Sequence, residues 1–358
     1  MLIVIKVGTN VLTDNSYQIQ DQKISQLVDQ IAELMKSGHQ VVLVSSGAVG
    51  SGREKIFDLK SAQSRQVWAA IGQPLLMNRY NFFAQKKGLT IAQCLVLRHD
   101  FSEKERYNNF ISTLKGLLDA NVLAIINEND VMATGDLTVG DNDLLSAMVA
   151  VAINADKLVL LTNQTGLYNS NPDLDPSAKL IDKVDNVDFE LEKFCSDQAS
   201  SGGRGGMLSK VRAAKHAVHA GIETYIIDGR ERNALIKLIA GKKIGTRVLA
   251  KRLGSVSDQK RWLMSAKGFG QIIIDDGAVA ALQKNKSLLF PGVIKVSGIF
   301  DKGEIVEVMG KKGNAVAYGK VNFASLKLND LLVQKKQTAS KFILDKEVIH
   351  RDFLVRLL

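Results

Sequence analysis

The chain has 358 residues, of which 46% are hydrophobic and 23% are charged, an ordinary composition for a globular protein with room for two domains. No apolar run is long enough to cross a bilayer, and the N-terminus lacks the pattern of a signal peptide. The two cysteines, Cys94 and Cys195, have no metal-binding or redox spacing, so we expect no disulfide framework and a cytoplasmic location.

The formal net charge of +10 is concentrated in the last part of the chain. Residues 259–358 carry 17 Lys/Arg against 9 Asp/Glu, whereas residues 1–258 carry 30 against 28. A basic surplus of this kind suits an anionic partner such as RNA. It is equally typical of a solvated lysine-rich surface.

Up to about residue 230, strand-like apolar runs alternate with helix-like stretches. The predicted strands cover residues 3–7, 41–44, 90–97, 122–126, 157–161 and 223–227, and the predicted helices cover 21–37, 76–83, 103–120, 144–155 and 206–220. This alternation predicts an α/β fold with an open, mostly parallel sheet and helices on both of its faces.

The pattern changes after about residue 250. Short β-rich runs over residues 271–274, 293–296, 304–308 and 315–321, several of them separated by glycines, predict a small mostly-β barrel. A polar, aperiodic stretch at 253–260 precedes them. We therefore predict a first domain over 1–252, a linker over 253–265, a second domain over 266–346 and a C-terminal tail over 347–358.

The first predicted strand contains one lysine among apolar residues, and a glycine follows it directly. Lys6 is costly to bury without a partner, and in open α/β sheets ligands bind at the carboxyl ends of strands. An anion is the partner that this position favours, and Gly8 would let backbone N–H groups approach it. Taken alone, Lys6 also fits a snorkelling lysine at the edge of a sheet.

Polar loops follow two further predicted strands, and a third polar segment opens a predicted helix. Small residues and glycines at 45–50 can hold a carboxylate or phosphate, although a plain βα turn uses the same residues. Asn127–Asp130 can bind an ammonium or a metal, or form Asx turns. Asp141–Asp143 supplies a helix N-cap and a surplus carboxylate that can orient lysines or magnesium.

A second glycine-rich loop runs over residues 200–210 into a predicted helix. It is not a Walker A loop, and no Gly-x-Gly-x-x-Gly follows the first strand, which counts against a dinucleotide oxidoreductase. A flexible linker is the simpler interpretation of this loop, but Lys210 at its end favours a phosphate cradle. The loop over 162–168 can border a nucleotide pocket. His216 and His219 have no third ligand nearby, so we expect surface residues there.

In this order, the segments resemble the amino-acid kinase family. The matching segments are Ile5–Thr9, Ser46–Ala48, Ala69–Gln73, Ile126–Asp130, Val139–Asp143 and Gly205–Lys210. Each is weak alone, but six in register are specific. The Asn-Glu-Asn-Asp and Gly-Asp-Asn-Asp sequences resemble the branch of the family that phosphorylates glutamate. The basic C-terminal part resembles a PUA domain, which is known from RNA-modifying proteins.

The resemblance implies ATP- and Mg²⁺-dependent phosphorylation of the γ-carboxylate of L-glutamate to L-glutamyl 5-phosphate, the first step of proline biosynthesis. It also implies a homo-oligomer, dimer or tetramer, that proline commonly inhibits, with RNA a possible ligand of the C-terminal domain and no membrane partner. Two residues on the ATP side depart from the family pattern, one neutral and one basic. Asn163 stands where relatives usually have aspartate, and Arg204 where they often have threonine, so nucleotide preference is less well specified than glutamate binding.

The same resemblance assigns roles to residues. Lys6, Lys210 and Asp143 would be catalytic, with Asp143 holding both lysines. L-Glutamate would contact Ser46, Gly47, Asn127, Asp130 and Asn142. ATP would contact Lys6, Gly8, Thr162, Asn163, Arg204, Gly205, Gly206, Met207, Leu208, Ser209 and Lys210. No residue is assigned as a metal ligand.

Two alternatives remain at this point. One is a kinase for another small acid, such as acetylglutamate, carbamate or aspartate, against which the Asn127–Asp130 loop and the C-terminal domain argue. The other is an RNA-binding or regulatory protein with a decayed kinase core, against which the presence of Lys6, Asp143 and Lys210 argues. Trp262 and Phe300 are a thin supply of aromatic rings for base stacking in such a protein.

Overall fold

The computed structural model describes residues 1–14, 18–56, 63–133, 141–172, 174–185, 187, 191, 206–250, 257–266, 270–337 and 346–357. The chain forms two compact units. The first consists of Met1–Asp100 and Asn108–Arg252, and the second of Phe101–Tyr107 and Leu253–Leu358. None of the helices in these described ranges has the length and hydropathy that crossing a bilayer requires.

The first part of the chain alternates strands and helices. In chain order the elements are β1 (Leu2–Val7), α1 (Thr9–Leu12), α2 (Asp21–Lys36), β2 (Gln40–Ser45), α3 (Ala48–Arg53), α4 (Ser64–Gln85), β3 (Ile91–Val96), α5 (His99–Ser102), α6 (Lys104–Asp119), β4 (Leu123–Glu128), α7 (Asn142–Ala152), β5 (Lys157–Thr162), β6 (Lys183–Val184), α8 (Met207–His219), β7 (Glu223–Asp228), α9 (Ala234–Ile239) and β8 (Thr246–Val248).

The eight strands form one sheet in the order β3-β4-β2-β1-β5-β7-β8-β6. Every neighbouring pair is parallel except β7 and β8. Ile3 and Ile5 of β1 pack with helix α2 in one core cluster, and Val4 between them is also fully buried. Because successive strand residues point to opposite faces, both faces of the sheet are covered. The predicted fold class is confirmed.

The order of the strands explains the position of the site. β1 lies at the centre of the sheet, between β2 and β5, and β4 lies beyond β2. These four strands are parallel, so the loops that follow them lie at one edge of the sheet. Helix α7 contacts all four strands.

Helix α4 is much longer than the predicted helix over 76–83, because it begins at Ser64 and ends at Gln85. Its first half carries polar residues and Pro74, and these obscure the apolar stripe that a sequence reading depends on. The Ala69–Gln73 segment therefore lies inside a helix that packs closely on α3.

The second unit contains α10 (Asp258–Ser265), β9 (Gln271–Ile274), α11 (Asp276–Gln283), β10 (Leu288–Leu289), a 3₁₀ turn (Phe290–Gly292), β11 (Val293–Ser297), β12 (Ile305–Gly310), β13 (Ala315–Val321), α12 (Ser325–Gln337) and β14 (Glu347–Arg356). The sheet order is β10-β14-β13-β12-β9-β11, antiparallel except for the β9–β12 pair. Its core includes Phe290 and Phe300.

Two predicted boundaries of this unit are wrong. Part of the predicted linker is helix α10, whose Trp262, Leu263 and Met264 are buried. The predicted tail is strand β14, which lies between β10 and β13 and buries Val348 and Ile349. The sequence pattern does not indicate β14, because His350, Arg351 and Asp352 interrupt the alternation of its apolar residues in the middle of the strand.

Candidate active site

Two lysines from distant parts of the chain meet on one carboxylate. Lys6 Nζ lies 2.5 Å from Asp143 Oδ1, and Lys210 Nζ lies 3.2 Å from Asp143 Oδ2. Lys6 comes from the end of β1, Asp143 from the first turn of α7 and Lys210 from the first turns of α8. All three residues are buried, and Asp143 is fully inaccessible. The carboxylate therefore holds both amines at the edge of the sheet where the strands end.

The electrostatics of this cluster favour an ionised Asp143. Burial by itself would raise the pKa of Asp143, but Lys6 and Lys210 outweigh burial and hold the pKa below its usual value. Ser209 Oγ adds a hydrogen bond of 2.6 Å to Asp143 Oδ2. Two buried cations thus share the Asp143 carboxylate, and both can attract an anionic ligand that binds beside them.

Asp141 caps helix α7 next to this cluster. Its Oδ1 accepts a hydrogen bond of 2.8 Å from the Asp143 backbone N–H, as an N-cap does. Burial, and then repulsion from Asp143, raise the pKa of Asp141 above its usual value. The three residues of the Asp141–Asp143 segment therefore have different contacts. Asp141 caps the helix, Asn142 bonds to the amide network described next, and Asp143 contacts the two lysines.

A network of amide side chains continues from Asn142. Asn142 Nδ2 donates to Ser46 Oγ at 2.8 Å and to Asn127 Oδ1 at 2.9 Å. Asn127 Nδ2 donates to Gln73 Oε1 at 2.9 Å, and Asn127 Oδ1 also accepts from the Glu128 backbone N–H. These bonds connect α7, the loop after β2, the end of β4 and α4. They fix which end of each amide faces which neighbour.

Glycines let the loop after β2 approach helix α4. Gly47 has a φ of +117°, which disfavours any residue with a Cβ. A Cβ on Gly72 would lie 1.8 Å from the Ala48 backbone oxygen, and one on Gly52 would lie 1.9 Å from the Trp68 oxygen. Helices α3 and α4 thus pack backbone against backbone, and this contact positions Ser46 and Gly47.

Asp130 lies just past the amide network and has its own partner. Its Oδ1 lies 2.8 Å from Nη2 of Arg65, in the first turn of α4. The Asp130 side chain is 11% exposed and that of Arg65 is 49% exposed. This cation-anion pair therefore connects α4 to the loop after β4, whereas Gln73 and Asn127 connect α4 to the end of β4 itself.

The structure places the residues predicted for ATP at the same edge. Thr162 ends β5, the strand next to β1, and is buried, and its hydroxyl lies 3.5 Å from Asn163 Oδ1. A Cβ on Gly8 would lie 3.2 Å from Lys6 Nζ, so glycine leaves space beside that amine. Gly206 precedes α8, and Met207 and Leu208 pack partly against a core cluster. Arg204 and Gly205 lie outside the described residues.

One sequence-based expectation about a side chain outside the site is wrong, and the two aromatic residues considered for base stacking are buried. His216, expected at the surface, is buried on α8. Trp262 is buried and its Nε1 donates to the Phe101 carbonyl oxygen at 2.9 Å. Phe300 is buried in the second core. His216 lies on the buried side of α8, and Trp262 and Phe300 are buried in the second unit. Neither Trp262 nor Phe300 is therefore available to stack on bases.

Sequence reasoning gave no role to Gln73 and Arg65. Gln73 was part of a matched segment, and its signal was a polar residue directly before Pro74 in an otherwise apolar stretch. Arg65 gave only the weak signal of a basic residue near the start of a helix. Both gain a partner only from tertiary contacts. In the described part of the chain, no group of three or more His, Cys, Asp and Glu residues could hold a metal by itself.

Comparisons with known proteins agree with this geometry. The model of the Amino acid kinase family matches residues 1–228. The chain belongs to the amino acid kinase family. A PUA domain model matches residues 270–343. The family resemblance and the C-terminal PUA domain predicted from the sequence are confirmed.

Relatives within this family cover nearly the whole chain. Glutamate 5-kinase 2 of Pseudoalteromonas translucida (strain TAC 125) is 39% identical, with 99% of each chain covered. A glutamate 5-kinase of Dehalococcoides mccartyi (strain ATCC BAA-2266 / KCTC 15142 / 195) is 40% identical, with 99% of this chain and 97% of the relative covered.

Two solved structures share the fold of the kinase part. A carbamate kinase from Giardia lamblia bound to AMP-PNP has a TM-score of 0.51 and 18% identity, covering 70% of this chain and 98% of its own. An isopentenyl phosphate kinase has a TM-score of 0.50 and 18% identity, covering 69% of this chain and 100% of its own. At this identity they show the amino acid kinase fold and nothing about the substrate.

Proposed function

We propose that this chain transfers the γ-phosphoryl group of ATP to the γ-carboxylate of L-glutamate and so makes L-glutamyl 5-phosphate, the first step of proline biosynthesis. The observation that carries the proposal is the meeting of Lys6 and Lys210 on Asp143, one residue from the Asn142–Ser46–Asn127 network. Full-length similarity to proteins named glutamate 5-kinase supports the choice of substrate.

The reaction needs charge and alignment more than it needs a reactive side chain. The substrate carboxylate is itself the nucleophile, so no covalent enzyme intermediate is required. The difficulty is to bring an anionic carboxylate in line with an anionic polyphosphate. Buried amines reduce this repulsion strongly because little water screens them.

We assign the transferring phosphoryl group to the two lysines. Lys6 and Lys210 would stabilise the negative charge on the oxygens of that group, and Asp143 would keep both amines in place. Thr162, Asn163 and the described end of the second glycine-rich loop, Gly206–Lys210, would contact ATP, with Gly8 leaving room for phosphate beside Lys6. Removing one such contact to the transition state typically lowers the rate about 100- to 1000-fold.

We assign L-glutamate to the amide network and the residue beyond it. Ser46, Gly47, Asn127 and Asn142 offer hydroxyl, backbone and amide groups to the γ-carboxylate end and the carbon chain. Asp130 offers a carboxylate to the α-ammonium. The adjacency of Asn142 and Asp143 on α7 supports a binding mode in which the reacting carboxylate lies nearest the two lysines.

The donor chemistry of the site also fits magnesium. Magnesium in kinases is held by one or two carboxylates together with substrate phosphates. Asp143 is occupied by two lysines, whereas Asp141 is a carboxylate beside them that forms no ion pair within the described ranges. Asp141 is therefore the residue that would hold the ion with the ATP phosphates, where magnesium would neutralise phosphate charge.

The proposal is tested by trapping the acyl phosphate. Purified protein is incubated with ATP, magnesium and hydroxylamine, and hydroxamate and ADP are measured with glutamate, N-acetylglutamate, aspartate or carbamate as the acid. Hydroxamate formation and ADP release with glutamate, well above those with the other acids, are expected. Preference for another acid would replace glutamate as the substrate, and no acid-dependent ADP release would refute a kinase function.

The further partners stay predictions. The PUA domain and its lysine surplus support an RNA contact through phosphates rather than through stacking on Trp262 or Phe300, which are buried. Such binding would weaken steeply with salt. Proline inhibition and a homo-oligomer are predictions of the family resemblance, and titration of activity with proline and light scattering of the pure protein would measure them.

A further inference from the structure

Arg65 occupies an unfavourable place for a cation. It lies in the first turn of α4, where the helix dipole favours anions, and that turn has no acidic residue of its own. Within the described part of the chain it pairs with Asp130, through Nη2 alone at 2.8 Å. A guanidinium has five N–H donors, so this single contact leaves most of its hydrogen-bonding capacity available to a further anion.

Asp130 likewise uses only one of its two carboxylate oxygens in the contact with Arg65. Its Oδ1 accepts from Arg65, and its side chain is largely shielded from solvent at 11% exposure. The backbone N–H of Asp130 bonds to the Glu128 carbonyl oxygen at 2.9 Å, which fixes the loop directly after β4. A hydrogen-bonded turn therefore presents a carboxylate beside a half-exposed guanidinium.

Two contacts join α4 to the end of β4 and the loop that follows it. Gln73 accepts from Asn127, and Arg65, eight residues earlier on α4, pairs with Asp130, three residues after Asn127. Eight helical residues span about 12 Å, so the two contacts are separated by about two turns of α4. The neutral amides lie toward Asp143, through the contact of Asn127 with Asn142, and the charged pair lies farther along, on the loop after β4.

The order of charges along these contacts matches an α-amino acid with a side-chain carboxylate. The site runs from the two lysines, through neutral amides, to an anion paired with a cation. Glutamate carries a γ-carboxylate, then an uncharged chain, then an ammonium and a carboxylate on one carbon. We propose that Arg65 binds the α-carboxylate of the substrate while Asp130 binds its ammonium, an assignment that rests on the proposed function.

This arrangement explains selection of a free α-amino acid. Without substrate, Arg65 and Asp130 neutralise each other. A bound zwitterion gives each of them a second partner of opposite charge, so four charges alternate in one cluster. An acid that lacks the ammonium or the α-carboxylate leaves one of the two groups without a ligand partner, which is the strongest basis for rejecting an analogue.

The test compares two substrates that differ only at the α-carboxylate. L-Isoglutamine keeps the γ-carboxylate and the ammonium but has a neutral amide in place of the α-carboxylate. The ratio of kcat/KM for L-glutamate to that for L-isoglutamine is measured in the native protein and in Arg65→Gln, Arg65→Lys and Arg247→Gln. If isoglutamine turns over too slowly, its inhibition constant against glutamate replaces its kcat/KM.

The control variant has a similar ion pair away from the site. Arg247 is 52% exposed and pairs with Glu223 at the beginning of β7, whereas the site lies where the parallel strands end. Arg247→Gln therefore removes an arginine of similar exposure without touching the proposed substrate contacts. Unfolding curves of all the variants show whether any of them has lost its fold.

Arg65→Gln is expected to reduce the glutamate/isoglutamine ratio about tenfold or more, mainly through the glutamate KM, because a charge-assisted contact to the substrate is lost. Arg65→Lys is expected to retain part of the ratio, and Arg247→Gln all of it. An equal loss of kcat/KM for both substrates in Arg65→Gln would mean that Arg65 only positions Asp130, and it would overturn the inference. Native protein that forms no hydroxamate from glutamate would instead refute the proposed function.

Discussion

The carboxylate between the two lysines can be neutralised with almost no change in shape. Asp143→Asn keeps the volume of the side chain and removes the negative charge that both amines contact. Lys6, Lys210 and Asp143 are all buried, so water cannot replace the lost partner. The variant therefore tests electrostatics without creating a cavity.

The magnitude follows from leaving two buried ammonium groups without their carboxylate. Removing one partner of a buried ion pair typically costs about 3–5 kcal/mol of stability. Loss of one preorganised charge contact at a transition state typically costs about 3–4 kcal/mol, or roughly 100- to 1000-fold in rate. We expect Asp143→Asn to show both a lower free energy of unfolding and a kcat reduced by this factor.

The dependence on pH gives a second signature. The pKa of Asp143 is lower in the folded protein, so its stabilising charge is complete above the ordinary carboxyl range and is lost as the pH falls through the folded pKa. The stability difference between native protein and Asp143→Asn should thus be full at neutral pH and shrink only in acid. ATP should stabilise the variant more than the native protein, because its phosphates supply the missing anion.

The assays are urea unfolding with and without ATP, and hydroxamate formation at saturating substrates. Asp156→Asn is the control, because Asp156 accepts a hydrogen bond from the Leu2 backbone N–H at the opposite end of β1 and asparagine can do the same. Asp143→Asn with native stability and native kcat would refute the reasoning that the carboxylate organises the two lysines.

Four other substitutions test the surroundings of the cluster. Asp130→Ala should raise the glutamate KM with little change in kcat, measured by initial rates. Gln73→Leu should lower the free energy of unfolding by about 1–3 kcal/mol and raise the glutamate KM, because Asn127 Nδ2 loses its acceptor. Gly72→Ala should destabilise the protein by about 1–3 kcal/mol or more, since its Cβ would meet the α3 backbone at 1.8 Å. Asp141→Asn should raise stability at neutral pH, with the gain vanishing as the pH falls below the ordinary carboxyl pKa, because the folded pKa of Asp141 is raised and asparagine can also cap a helix.

Each of these has a contrary result. An unchanged glutamate KM in Asp130→Ala would remove Asp130 from the substrate site. Native stability in Gln73→Leu or Gly72→Ala would mean that the amide network or the α3–α4 contact does not hold the loop. A stability gain in Asp141→Asn that persists in strong acid would show that charge is not its cause.

The parts of the fold that the sequence predicted are those specified by local pattern. Strand β1 is an apolar run followed by a glycine, and burial of its lysine is favourable only if an anion lies nearby. The motifs that contain Lys6, Asp143 and Lys210 stand in register and so indicate these residues, although the distances between them depend on a sheet that brings β1, α7 and α8 together.

The parts that were missed depend on partners far along the chain. Gln73 and Arg65 are ordinary polar residues of a helix until Asn127 and Asp130 approach them. Residues Glu347–Arg356 form strand β14 because they pair with β10 on one side and β13 on the other, despite the charged residues at the centre of the strand. The indole N–H of Trp262 finds its hydrogen-bond acceptor in the Phe101 carbonyl oxygen, 161 residues away in the sequence.

The measurement that tests the central claim most directly is the steady-state kinetics of Lys6→Ala and Lys210→Ala with glutamate and ATP. If the two amines on Asp143 stabilise the transferring phosphoryl group, kcat should fall about 100- to 1000-fold in each variant while the glutamate KM changes little. Near-native kcat in both variants, in proteins that remain folded, would contradict the account.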